Sequence, residues 1–152
     1  MEHKIQTYPA MHLLGISTET SYKDSMEDIP KLWDKFNKED FTNSISDRKS
    51  SDVYAVYYDY ESDFKGSYHF FIGYIVDKNV SVDLPLKKLE IPEQKYAIFP
   101  VKGDFPKCLI DTWESIWESD IERKYTFDFE KYTESSSLDE SNSELDVYIS
   151  IK

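Results

Sequence analysis

Glu130 stands in the run Phe127-Asp128-Phe129-Glu130-Lys131-Tyr132. In a strand, residues two apart share a side. Asp128, Glu130 and Tyr132 therefore line one side of this run, and Phe127 and Phe129, with Tyr125 before them, line the other. The closing run alternates in the same way, with Leu145, Val147, Ile149 and Ile151 on one side and Asp146, Tyr148 and Ser150 on the other. Taking the more apolar side of each run as the core side puts Glu130, Tyr132 and Tyr148 together on a face that leaves the core. That face is open to two readings. Acids and tyrosines are ordinary on a solvated surface, but they could also form an aromatic cleft with a carboxylate at its floor. Such a cleft would attract a flat or lipophilic cation, ring faces giving cation–π contact and the carboxylate giving opposite charge. Trp113 and Trp117, four apart and so on one helical face beside Leu109 and Ile116, form a stripe that suits a core or a pocket. Tyr54, Tyr57, Tyr58 and Tyr60 crowd a single strand and its end, so rings must emerge on both of its sides.

Other chemistries lack their residues. His3, His12 and His69 have no metal-site spacing, and no nucleophile stands beside them in a recognisable pattern. His12 and His69 fall within strands and read as structural. Cys108 is the only cysteine, which excludes an internal disulfide and a multi-cysteine metal site and suits a reducing compartment. It opens a helix, where a thiol can be activated, yet it reads as a packing residue. Four glycines supply no phosphate-cradling loop. No metal and no cofactor is expected. The formal charge of −12 over 152 residues opposes non-specific binding to nucleic acid or to anionic lipid and favours cationic guests. With no basic start leading into an apolar leader, and no apolar run long enough to span a bilayer, the expected location is the cytoplasm.

The elements that must position these residues show an apolar rhythm that switches between two and about 3.6 residues. This gives an α+β class. Strands are expected at 11–18, 53–59, 68–76, 95–101, 124–132 and 145–151, with helices carrying Met26, Ile29, Leu32, Trp33 and Phe36 and, over 106–119, the tryptophan pair. Pro30 favours a first helix starting near Asp28 over a kinked one starting at Ser25. Both halves read strand, helix, strand, strand. Leu14 and Ile98, Ile29 and Trp113, Leu32 and Ile116, and Trp33 and Trp117 are all separated by 84. The expected architecture is a duplicated βαββ unit in one domain spanning 1–152, with repeats at about 1–80 and 94–152 and a central ligand cleft. Residues 77–93 read as the linker between repeats, and the serine-rich segment 133–144 as a loop or a lid over the site.

Seven segments in order resemble the GyrI-like small-molecule-binding family, the effector-binding domain also attached to AraC-type and MerR-type multidrug regulators. They are Leu14-Gly15-Ile16-Ser17, Leu32-Trp33-Asp34-Lys35-Phe36, the run 54–61 beginning Tyr54-Ala55-Val56-Tyr57, Lys95-Tyr96-Ala97-Ile98-Phe99, Thr112-Trp113-Glu114-Ser115-Ile116-Trp117, Phe129-Glu130-Lys131-Tyr132, and 147–152. The resemblance implies a pseudo-twofold fold around a cleft, with the family's pocket glutamate falling on Glu130 and a pocket tyrosine on Tyr148. Tyr57, Tyr58, Trp113, Trp117 and Tyr132 are further ring candidates. The implied function is binding of lipophilic, cationic aromatic small molecules without direct contact to nucleic acid. The sequence enters this domain within about ten residues, so no helix-turn-helix is expected, and any regulation would run through a separate regulator chain. Two alternatives come with the family. One is hydrolysis of strained cyclopropane-containing electrophiles with Glu130 as the catalytic carboxylate, and the other is a protein-interaction role such as gyrase inhibition.

Overall fold

The computed structural model describes residues 3–39, 45, 48–63, 65–82, 86–133 and 143–152. Along them run β1 (Lys4–Tyr8), β2 (Met11–Ser21), α1 (Ser25–Lys38), β3 (Val53–Tyr58), β4 (Ser67–Ile75), β5 (Lys87–Ile91), β6 (Gln94–Gly103), α2 (Lys107–Glu118), β7 (Phe127–Tyr132) and β8 (Ser143–Ser150). The strands join in one antiparallel sheet in the order β1-β6-β8-β7-β3-β4-β2-β5. That order reads the same from either end once β6 is exchanged for β2, β8 for β4, β7 for β3 and β1 for β5. A duplicated unit would generate this arrangement, with β3 and β7 meeting at the centre.

Both helices cover the same side of the sheet. The buried stripe of α1 is Leu32 and Phe36, that of α2 Trp113 and Ile116, each at the three- or four-residue spacing that keeps one helical face inward. Helix α1 lies over β2 and β4, whereas α2 lies over β6. The helix-side face of the central pair β3–β7 is thereby left between them. Helix α1 starts at Ser25, so the expected start near Asp28 is corrected by a turn. Pro30 costs one intrahelical hydrogen bond near the exposed Met26, while Glu27 and Asp28 in the first turn favour the helix dipole and Thr20 donates to Asp28 at 2.9 Å.

The sheet buries both of its faces. Leu14, Phe70, Ile72, Phe99, Val147 and Ile149 belong to the core beneath the helices. Leu13, Phe71, Ile91, Tyr96, Phe129 and Tyr148 belong to a second core, to which every strand from β2 to β8 contributes and, among the described residues, no helix does. Among the described residues, side chains of the strands themselves fill this far side. Strands buried on both faces show no clean alternation, and Phe70-Phe71-Ile72 is a continuous buried run.

Several expectations are corrected here. Residues 77–93 do not form only a linker, because β5 lies within them and pairs with β2. The edge strand β1 precedes the first expected strand and pairs with β6. Tyr125 has a positive φ of 56° and lies before β7, so strand parity does not extend to it. The separation of 84 relates the helices but not the strands, since Leu14 faces the helices while Ile98 faces away. Of the 133–144 loop or lid, residues 134–142 lie outside the described residues.

Candidate functional site

The site is built on β7. Its register with β8 sets Glu130 opposite Val147 and Phe129 opposite Tyr148. Directly paired residues share a face, so Glu130 lies on the helix side with Val147, and Tyr148 lies on the far side with Phe129. This overturns the expectation that Glu130 and Tyr148 share a face. The physical reason is that both faces are buried, so hydropathy could not say which side of β7 matched which side of β8.

Glu130 is 1% exposed. Three elements supply its partners: Tyr57 from β3 donates its hydroxyl to Oε2 at 2.8 Å, Trp113 from α2 donates Nε1–H to the same oxygen at 2.8 Å, and Tyr132, two residues along β7, donates to Oε1 at 2.6 Å. All three donors are neutral. Among the described residues no basic side chain comes within ion-pair distance of Glu130. Burial pushes the Glu130 carboxyl above its ordinary value, and the hydrogen bonds from Tyr132, Trp113 and Tyr57 pull it only part of the way back. The Tyr57 and Tyr132 hydroxyls are pushed well up, first by burial and then by the neighbouring carboxylate, so they remain protonated donors.

Rings close around this carboxylate. Tyr57 meets Trp113 at 5.1 Å between centroids and Phe70 at 5.0 Å. Trp33 of α1 sets its edge against Tyr132 at 5.2 Å, and Trp117, one turn beyond Trp113, lies 6.3 Å from it and 5.5 Å from Tyr22. These separations fall within the range of favourable aromatic pairing.

Asp128 is a second buried carboxylate two residues away, and its surroundings differ. Arg123 Nη2 and the Tyr60 hydroxyl reach Oδ2 at 2.7 and 2.5 Å, while the Ser150 backbone N–H and hydroxyl reach Oδ1 at 2.7 and 3.1 Å. The Arg123 guanidinium stacks 4.3 Å from the centre of the Tyr125 ring. Asp128 thus has its cation within the chain, and Glu130 does not.

Of the expected site residues, the fold brings Tyr57, Trp113 and Tyr132 onto Glu130 and sets Trp117 one ring further out. Tyr58 and Tyr148 go to the far side of the sheet. Tyr58 stacks on Phe127 at 5.8 Å, and Tyr148 stacks on Phe129 at 4.4 Å with its hydroxyl 3.3 Å from that of Tyr8. The sequence reading missed Trp33 as a site residue, although its spacing of 84 from Trp117 was the available signal. It also missed the Arg123–Asp128 pair. A separate groove of about 460 Å³ beside the first turns of α2 is lined by Lys102, Cys108 and Thr112 among others, and Glu130 is not in its wall. The described residues contain no cluster fit to hold a metal ion.

Two helices on one side of an eight-stranded antiparallel sheet are the fold of a GyrI-like effector-binding domain. The chain belongs to the integron-associated effector binding protein family, Cass2, whose model matches residues 4–151. It is 29% identical to YobU of Bacillus subtilis over 91% of this chain and 90% of that protein. It is 27% identical to the transcriptional regulator BrlR of Pseudomonas aeruginosa over 99% of this chain but only 56% of that regulator. Among solved structures, an integron cassette protein from Vibrio cholerae superposes with a TM-score of 0.76 at 24% identity, covering 99% and 95% of the two chains. A protein named SAV2435, solved bound to tetraphenylphosphonium, gives a TM-score of 0.81 at 15% identity, covering 100% and 94%. None of the described helices is long and apolar enough to cross a membrane.

Proposed function

We propose that this effector-binding domain takes up lipophilic cations built on aromatic rings, with Glu130 as counter-charge and Tyr57, Trp113 and Tyr132 as the surrounding rings. The observation that carries the reading is the buried carboxylate with only neutral partners. An uncompensated charge in a dry site is costly. A cation brought by a ligand offsets that cost, and a neutral ligand of the same shape does not. Ring faces add contact area with little directionality, so one site can admit many frameworks while the carboxylate selects sign. Tetraphenylphosphonium, held by the structural neighbour SAV2435, is a ligand of this chemistry. The likeness to BrlR supports a regulatory setting in which ligand occupancy is read by a transcription regulator. Trp113, hydrogen-bonded to Glu130, stands beside the bound ligand in this reading and reports its arrival.

The test is a tryptophan-fluorescence titration of the wild type and Glu130→Gln with tetraphenylphosphonium and with neutral triphenylmethanol. The proposal expects saturable quenching by the cation, weakened at least about tenfold in Glu130→Gln, with little change for the neutral compound. Equal losses for both would remove the charge-based reading. Incubation with a cyclopropane-containing electrophile, followed by mass spectrometry, separates binding from turnover. Recovery of the compound intact supports a binder, and a hydrated product lost in Glu130→Gln would make the domain a hydrolase.

A further inference from the structure

We infer that the Glu130 site discriminates among cations by their hydrogen-bonding capacity, preferring centres that carry no N–H, such as quaternary ammonium, phosphonium or N-alkylated heteroaromatic ions, over primary ammonium ions on the same ring framework. The inference rests on the cation-binding reading above and adds to it a chemical class. It follows from counting acceptors. An ionised carboxylate offers about four lone-pair sites. Tyr57 and Trp113 both donate to Oε2, and Tyr132 donates to Oε1, so a single site on Oε1 remains.

A primary ammonium enters with three N–H donors, each of which leaves a water partner behind. One of them can use the free site on Oε1. For the carboxylate to take a second, a buried hydroxyl or the Trp113 N–H must give up its own bond and be left unpaired, which costs about as much as the new bond gains. The ring faces around Glu130 attract charge but accept hydrogen bonds poorly. A quaternary centre has no such demand. It feels the field of the carboxylate and the ring faces while the three internal hydrogen bonds stay in place.

The same strand supplies the contrast. Asp128 is satisfied by a cation that does carry N–H groups, and there the geometry is that of a direct bond, Arg123 Nη2 to Oδ2 at 2.7 Å. Glu130 has no cation of its own within the chain, yet its acceptor positions are nearly filled. Two carboxylates on one face of one strand are thus prepared for different kinds of cation, one internal and hydrogen-bonding, the other external and without donors.

The experiment is calorimetric titration with three compounds sharing one ring system: 2-naphthylmethyl-trimethylammonium, 2-naphthylmethylammonium and the neutral 2-neopentylnaphthalene. The wild type is expected to bind the quaternary ion about tenfold or more tightly than the primary one. The extra methyl groups alone could produce a preference, so the deciding quantity is how it changes when an acceptor is freed. In Tyr132→Phe the second site on Oε1 opens, and the ratio should fall to within about threefold. Tyr57→Phe frees a site on Oε2 and carries the same test should Tyr132→Phe fail to fold. A primary ion bound as tightly as the quaternary one in the wild type, or a ratio that stays the same or widens in a folded variant, overturns the inference while leaving cation binding intact. If neither cation outbinds the neutral compound, the cation-binding reading itself fails and takes this inference with it.

Discussion

At Glu130 the folded chain holds a carboxyl group whose ionised form is disfavoured by burial and only partly restored by three neutral donors. Its folded value lies above the ordinary one, so in the window between them the folded state keeps a proton that the unfolded chain has released. The resulting contribution to stability is present at pH below the ordinary carboxylate value and is lost as pH rises through the folded value. Affinity for a permanent cation runs the opposite way, because the cation pairs with the ionised form. Wild-type affinity for tetraphenylphosphonium should therefore fall as pH is lowered through the Glu130 titration, and that of Glu130→Gln should stay flat, both measured by calorimetry across a pH series. A wild-type profile as flat as that of the variant would argue against Glu130 as the counter-charge. Tyr148 belongs to the other side of the sheet, where its hydroxyl meets Tyr8 and its ring stacks on Phe129. Tyr148→Phe should accordingly change cation affinity by less than about twofold, since the 3.3 Å contact it removes is remote from Glu130 and weak. A loss as large as that in Glu130→Gln would return Tyr148 to the site.

Among the elements, the pair β2–β4 is locked by its two glycines, Gly15 and Gly73, which face each other directly. A Cβ on Gly15 would lie 2.0 Å from the Ile72 carbonyl oxygen and 2.6 Å from the Gly73 Cα. Backbone atoms of a central strand cannot yield cheaply, so Gly15→Ala should lower stability by about 1–3 kcal/mol or more in urea melts. A midpoint unchanged from wild type would mean that the strands can separate there without cost. The same strands explain what the sequence disclosed and what it withheld. Leu32, Phe36, Trp113 and Ile116 stand at helical spacing over a one-sided burial, so both helices and their inward faces were legible. The face shared by Glu130 and Val147 was not, because Phe129 on one side of β7 and Glu130 on the other are equally buried. Only the pairing register resolves that, and register depends on chain segments far apart in sequence. Strands β1 and β5 escaped notice for another reason. As edge strands carrying Lys4, Gln6, Lys87 and Lys88, they present little apolar pattern and read as connections.

At the scale of the whole molecule, the palindromic strand order places each helix over its own half of the sheet and leaves the seam β3–β7 between them. Glu130, Tyr57 and Tyr132 lie on that seam, while Trp33 and Trp117 approach from the two helices. A net charge of −12 surrounds the seam with a field that enriches cations and repels phosphate backbones. On the proposed function, the cation takes its place beneath the helices beside Glu130. The most direct measurement is a crystal structure with tetraphenylarsonium, whose arsenic atom is located by its anomalous scattering. A single arsenic peak is expected on the helix side of β7, beside Glu130 and within about 6 Å of the Tyr57 or Trp113 ring centre. A peak beside Tyr148 and Phe129, on the far side of the sheet, would contradict it.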